Sequence, residues 1–453
     1  MKPTLKSLFA GLVLGAGLTM CPVVEAGNDA LIKLLEVLRD NGTINDEAYR
    51  MLLEAARADA ESGDKPAQAA AEAAETPSDA PATTVELKDS GLDVESKTRG
   101  ARLRLGGRLH VDTARYNEDR AQFGDGSKVR RIRLEAKAQV AEDWQAKAAI
   151  DFADNEVDMK STYLEYGGVE NTALLIGNIK EPFSLEELSS SNDMTFMERA
   201  MLTEFSPGRH VGLAVSRWGE KAALTAGLFA EGISSDTEDD AGWGTSARAT
   251  FFPILDEGRV LHLGAALSYR ETGDDNTYRV RSRPESGVTD VRLVDTGEIP
   301  GVDDITLLGL EAAGIMGPFS LQGEYVAADV GRGVMPDLDF SGWYAYASWV
   351  LTGESRRYKP QNGEMGGVTP KYDLGAGGMG AWELAARFST IDLTSGTLVG
   401  GMQDNLTLGL NWYVSPNIRF MLNYVNVLDL DRPGAPEDGD NPDIIQLRAQ
   451  FNY

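Results

Sequence analysis

The sequence predicts an all-β protein, a transmembrane antiparallel β-barrel of about sixteen strands with a short N-terminal helical periplasmic segment. Three observations carry this reading. The chain opens with an export signal, and polar and apolar residues alternate with a period of two from about residue 100 to the last residue. After the signal there is no run of ~18 or more apolar residues, so no helix is available to cross a membrane. A membrane role then has to be carried by strands.

Taken in order, Lys2 and Lys6 precede the apolar run Leu8 to Met20, and Val24-Glu25-Ala26 offers small residues at the cleavage positions, so residues 1–26 read as a signal peptide. The one cysteine, Cys21, lies inside it, and Met20 before it is too large for a lipoprotein site. A mature chain without cysteine has no disulfide, no thiol chemistry and no cysteine metal site. Residues 27–57 read as a helical hairpin or short coiled-coil segment, with Leu31, Leu34, Leu35 and Leu38 at helical spacing, a break at Asn41-Gly42, then Tyr49, Leu52 and Leu53. Neither helix buries its apolar face alone, which leaves a peripheral hairpin and a self-association element both open. Residues 58–100 turn to Ala, Glu, Asp and Pro, the composition of a linker.

The barrel is expected over 101–453. In Arg102 to Asp112, Leu103, Leu105, Leu109 and Val111 alternate with Arg102, Arg104, Arg108, His110 and Asp112. Arg131 to Val140 and Ile445 to Tyr453 repeat the pattern, and strands are expected near 102, 130, 144, 158, 172, 211, 222, 243, 260, 305, 318, 342, 381, 405, 418 and 444. That leaves about 22 residues for each strand and its connection, enough for a tilted membrane strand. Short turns such as Ala141-Glu142-Asp143 and Met316-Gly317 alternate with long connections such as 181–210 and 271–304, as short periplasmic turns alternate with long outer loops. The connection 352–380 is long where a short turn is due. A soluble sandwich or propeller would also alternate, but the export signal and the aromatics near strand ends (Trp144, Tyr269, Trp349, Trp382, Trp412, Tyr453) favour the membrane.

The chain carries 70 acidic and 43 basic residues and a formal charge of −27, which argues against nucleic-acid binding. Its charge is unevenly placed. On the face opposite the oily one, the expected strands carry thirteen bases, among them Arg102, Arg104, Arg108, Arg131, Arg133, Lys147, Lys180 and Arg448, against six acids, Asp112, Glu135, Asp151, Glu311, Glu324 and Glu383. A basic inner wall lowers the energy of an anion in a narrow aqueous passage, and an excess of this size is expected to leave bases unpaired. The alternative is that the arginines only pair across strands. In the loop 271–304, Arg279, Arg281 and Arg283 alternate, so an extended backbone would present three guanidinium forks in a row, a geometry suited to phosphate. A solvated charged loop is the plainer reading.

At Gly177-Asn178-Ile179-Lys180-Glu181-Pro182-Phe183-Ser184-Leu185-Glu186, followed by Ser189, Ser190, Ser191, Phe196, Glu198 and Arg199, the chain resembles the phosphate-selective porin family, porins O and P. Arg130-Arg131 with Arg133, Arg283-Pro284-Glu285, Leu351-Thr352-Gly353-Glu354 with Tyr358, and Gly380-Ala381-Trp382-Glu383 add to the resemblance, which spans about 130–453. It implies a sixteen-stranded homotrimeric porin of the Gram-negative outer membrane, in contact with its lipid, whose loop 181–210 folds inward and narrows the channel. It also implies an arginine ladder, with Arg130, Arg131, Arg279, Arg281 and Arg283 as candidates, Lys180 as a base beside the constriction, and Asp151 near the anion site. The anion expected is inorganic phosphate, polyphosphate or another small anion, with a general porin of weak anion preference as the alternative. No cofactor is expected. Against an enzyme, the three histidines His110, His210 and His262 sit apart and no hydrolase motif is present. Against an adhesive or structural barrel, no loop reaches the size of a domain.

Overall fold

The structure, a computed structural model, describes residue 50, residues 83–88 and 91–96, and residues 100–453 apart from 231, 233–241 and 274–275. The expected signal peptide and, residue 50 aside, the helical segment lie outside the described residues. Sixteen strands form a closed barrel. They are β1 (Ala101–Asn117), β2 (Gly126–Ala141), β3 (Trp144–Asp151), β4 (Thr162–Val169), β5 (Thr172–Lys180), β6 (Arg209–Trp218), β7 (Ala222–Phe229) and β8 (Trp243–Asp256). The second half is β9 (Arg259–Glu271), β10 (Asp304–Met316), β11 (Phe319–Gly331), β12 (Leu338–Val350), β13 (Ala381–Ser395), β14 (Leu398–Tyr413), β15 (Ile418–Asp431) and β16 (Asp443–Asn452). Each is antiparallel to the next, and β16 closes on β1 with Ile445 opposite Arg115 and Phe451 opposite Leu109.

Closure is made at Gly107. Its N–H donates to the Tyr453 carbonyl (3.0 Å) and its own carbonyl accepts from Tyr453 N–H (3.2 Å). A Cβ here would lie 2.8 Å from the Arg133 carbonyl and 2.9 Å from the Tyr453 ring, so only glycine lets the terminal aromatic lie flat on the seam. The oily positions face outward, as Leu109, Leu134, Leu213, Leu263, Leu310, Leu384, Leu408 and Leu447 are all exposed. Aromatics bound this band at both ends. Phe319 stacks on Trp349 and Trp382 on Trp412 toward one rim, and Trp243 meets Tyr269 and Trp343 meets Phe388 toward the other. Trp343 and Trp349 lie six residues apart on β12, about 20 Å of strand, close to the ~25 Å apolar band of outer-membrane barrels.

Two departures from the sequence expectation concern the connections. Part of the stretch read as linker is a hairpin, Thr83–Lys88 with Gly91–Ser96, whose second strand pairs with the start of β1 (Leu92 opposite Leu105). Its composition looked disordered because its outer strand is almost wholly exposed and needs no apolar face. The long connection 351–380, on the side of the short turns, folds back into the barrel. Arg356 donates to Thr195 Oγ1 (2.5 Å), Tyr346 Oη (2.7 Å) and the Asp193 carbonyl (2.7 Å), and the Asn362 and Gly363 carbonyls accept from Arg248 of β8 (2.9 and 2.8 Å).

From the opposite side, the loop 181–208 crosses the lumen and docks on β10–β16. Its short helix α1 (Leu185–Leu188) is held by Glu324 of β11, which accepts from the backbone N–H of Leu185 and Glu186 at 2.8 Å each. Phe183, Phe196, Leu202 and Phe205 are buried with Leu307, Val326, Ala328, Phe340, Ile391, Val425 and Val427, all inward-facing strand residues. The interior of this arc is therefore apolar toward the outer rim, not polar throughout as the simple alternation implied. Sequence pairs such as Leu307-Leu308 mark it, because there the wall is apolar on both faces. The loop 272–303 completes the packing through Glu285, whose carboxylate accepts from Ser389 and Thr407 (2.5 Å each) and pairs with Arg387 (2.6 Å).

Candidate functional site

Three infolded segments fill the β8–β16 side of the lumen, and side chains there are sealed: Arg387 is 1% exposed and Glu383 is fully buried. Facing them, the inner surface of β2–β6 keeps contact with water. Arg130, Lys147 and Lys180 retain 24%, 22% and 17% of their side-chain exposure. The water-contacting part of the lumen thus lies between the loop 181–208 and the β2–β6 wall, whose side chains pair as follows.

Near the outer side, Arg130 donates through Nε and Nη2 to the two oxygens of Glu198 at 3.0 Å each, and Arg448 of β16 donates to Glu198 Oε1 (2.8 Å) while gripping Asp112 with two bonds of 2.7 Å. Arg131 lies 4.0 Å from Glu198 and 3.3 Å from His110 Nδ1, and His110 Nε2 sits 3.2 Å from Asn192 of the loop. Burial pushes the Glu198 carboxyl up, but Arg130, Arg131 and Arg448 together hold it well below the usual carboxylate range. Further in, Arg133 pairs with Asp151 (2.9 Å), and Arg108 meets Glu135 and Ser191. Lys147 lies 3.7 Å from the same glutamate. Lys180 (2.9 Å) and Arg199 (3.2 Å) flank Glu187; burial alone would raise that carboxyl, yet these bases bring it down to about 2. Arg209, at the start of β6, donates to Ser161 (3.0 Å), and Lys137 of β2 makes no ion pair among the described residues. Along this path nine bases (Arg108, Arg130, Arg131, Arg133, Lys137, Lys147, Lys180, Arg199, Arg209) have between them four carboxylates as ion-pair partners among the described residues (Glu135, Asp151, Glu187, Glu198).

The residues singled out in the sequence do not form one file. Arg130, Arg131, Arg133, Asp151 and Lys180 line the passage. Arg102 and Arg104 sit at the end of β1 next to the hairpin, where both bind Asp93 (2.6 and 2.7 Å). In the loop 272–303, Arg279 is tied to Asp295 (2.6 Å) and Glu298 (3.2 Å) and Arg283 to Asp290 (2.5 Å), while Arg281 is exposed and makes no ion pair among the described residues. The expected excess of thirteen inward bases over six acids is reduced in the structure, although Lys137 still has no ion pair among the described residues. Infolded loops bring in Glu181, Glu186, Glu187, Glu198 and Glu285, and these take Arg270, Arg387, Lys180 and Arg448. Counting on strands alone missed those acids. It also missed Arg199 and Arg209, which stand in or beside a loop where period two gives no signal; the crowding of carboxylates into 181–204 was the available clue.

Each histidine has a structural tie. His262 Nδ1 meets Tyr358 Oη at 2.6 Å and its Nε2 meets Glu311 at 3.0 Å, and His210 pairs with Glu181 at 2.7 Å. Among the described residues no group of His, Cys, Asp and Glu forms a metal site.

The family model described as phosphate-selective porin O and P matches residues 103–453. Porin O of Pseudomonas aeruginosa is 28% identical over 80% of this chain and 91% of its own length. An uncharacterised protein of Caulobacter vibrioides is 31% identical over 74% of this chain and 70% of its own. Among solved structures, the anion-selective porin from Comamonas acidovorans superposes with a TM-score of 0.51 at 13% identity, covering 78% of this chain and 100% of that one. OmpT of Vibrio cholerae in its trimer form gives 0.50 at 13%, covering 78% and 99%. At these identities the two structures are like this one in fold.

Proposed function

Because the chain belongs to the phosphate-selective porin O and P family and is an outer-membrane porin, a channel rather than an enzyme, we propose that it passes small anions by diffusion along the β2–β6 wall, with phosphate or polyphosphate favoured. One observation supports this reading: along the water-contacting β2–β6 wall nine bases have only four carboxylates as ion-pair partners among the described residues. Such a surplus lowers the energy of an anion and raises that of a cation, and a surplus distributed over several sites lets an ion leave as well as enter. Arginine forks at Arg130, Arg131 and Arg133 suit a tetrahedral oxyanion better than lysine would.

The pairing of Arg279, Arg283, Arg130 and Arg133 with carboxylates favours a second reading, a general porin with weak anion preference. Refolded protein in planar bilayers separates the two. A reversal potential of anionic sign in a KCl gradient with half-block by phosphate below about 1 mM supports the phosphate channel. Anion selectivity without block supports the general porin, and cation selectivity refutes both. We also propose a homotrimer. Outward Ala136 opposite Ala148 and Ala138 opposite Ala146 make a flat patch on β2 and β3 where a second barrel could approach closely. Crosslinking in the membrane tests it, and a product no larger than a monomer would refute it.

A further inference from the structure

The carboxylate of Glu198 occupies the position a permeating oxyanion would take. Three guanidinium groups from two strands converge on it: Arg130 with two bonds of 3.0 Å, Arg448 with one of 2.8 Å, and Arg131 at 4.0 Å. Glu198 is carried by the infolded loop, not by the wall, so the site is built on β2 and β16 and filled from across the lumen. The loop is fixed immediately beside it, since Met197 N–H donates to Asn423 (2.8 Å) and the Glu198 carbonyl accepts from Arg387 (3.1 Å). Gly287 of the loop 272–303 leaves room for the pair; a Cβ there would lie 2.6 Å from Arg130 Nε and 2.9 Å from Glu198 Oε1. Arg131 has only His110 and this distant carboxylate as partners, although its side chain is 7% exposed. Apart from the contact with His110, its donors have no close carboxylate among the described residues.

We propose that Glu198 is a tethered competitor for the anion. It fills an oxyanion site made by Arg130, Arg131 and Arg448, and thereby sets how weakly phosphate binds in the channel. This deepens the anion-porin reading and rests on it. Asp112 keeps its two bonds to Arg448, so the free site would retain a counter-charge on one arginine and offer the remaining donors, chiefly of Arg130 and Arg131, to the ligand.

The test compares phosphate block of chloride current in wild-type channels with three variants. Glu198→Gln is expected to lower the half-blocking phosphate concentration at least tenfold. Glu198→Asp, whose shorter arm loosens its hold on Arg130, is expected to lower it two- to fivefold. Asp193→Asn removes one negative charge from the same loop but releases only Lys359 (2.9 Å), and is expected to change block less than twofold. Unchanged block in Glu198→Gln overturns the proposal, as does an equal gain in Asp193→Asn, which would mean a general charge effect. Should Glu198→Gln fail to fold, absence of any gain in Glu198→Asp overturns it equally. The wild-type reversal potential keeps the two claims apart, because cation selectivity there sinks the anion-porin reading whatever the variants do.

Discussion

Single arginines on this chain differ in worth according to what neutralises them. Arg279 and Arg281 stand two residues apart, yet the first faces Asp295 and Glu298 and the second faces solvent. Arg281→Ala is therefore expected to lower the anion-to-cation permeability ratio two- to threefold, and Arg279→Ala to leave it unchanged; equal effects in the reversal potential would contradict the pairing. Acidity acts through Glu204 of the constriction loop. Desolvation by the surrounding loop raises its pKa from the ordinary carboxyl value, against the pull of Arg292 and Arg283, so it protonates earlier than an ordinary carboxyl as pH falls. Its loss of charge leaves Arg292 and Arg283 less compensated. Anion permeability should rise as pH falls toward the carboxylate range, and Glu204→Gln should remove part of that rise; a mutant with the wild-type pH profile would exclude this role. Glu187, lowered to about 2, stays ionised throughout and contributes nothing to the change.

Elements are held in place by a few buried charges, and Arg387 of β13 is the clearest of them. It joins Glu186 of one infolded loop (3.3 Å) to Glu285 of another (2.6 Å) and lies 4.5 Å from the centre of the Phe196 ring. Breaking such a buried pair by removing one partner costs about 3–5 kcal/mol, since the carboxylates remain buried without compensation. Arg387→Ala should lower the urea midpoint of unfolding and add open-channel current noise. A quiet channel of wild-type stability would show that the loops hold without it. Strand positions were legible from period two because each barrel strand meets lipid on one face. Loop positions were not, because the contacts that fix 181–208 and 351–380 come from distant strands: Glu324 with Leu185, Asn423 with Met197, Arg248 with Gly363. Thus the alternation identified Arg131, Arg133 and Lys180 as inner-wall bases, and the family resemblance added Arg130, which a β-bulge turns inward, but neither could show which loop carboxylate each would meet.

Across the whole molecule, charge is sorted by location: the chain is net acidic, while on the inner face of β2–β6 bases outnumber their carboxylate partners among the described residues. The seam that closes the barrel depends on Gly107, and Gly107→Val should destabilise it by about 1–3 kcal/mol through overpacking against Arg133 and Tyr453. A lower yield of the heat-modifiable folded form would report this, and a wild-type yield would count against the seam. In the proposed channel, ions move along the β2–β6 wall while the central side chains of the β8–β16 side are sealed. The most direct measurement is single-channel current after a bulky thiol reagent is applied to Lys147→Cys, on β3, and to Ser348→Cys, buried on β12. Current is expected to fall by more than half at position 147 and to stay unchanged at 348; loss of current at 348 with none at 147 would contradict a path along β2–β6.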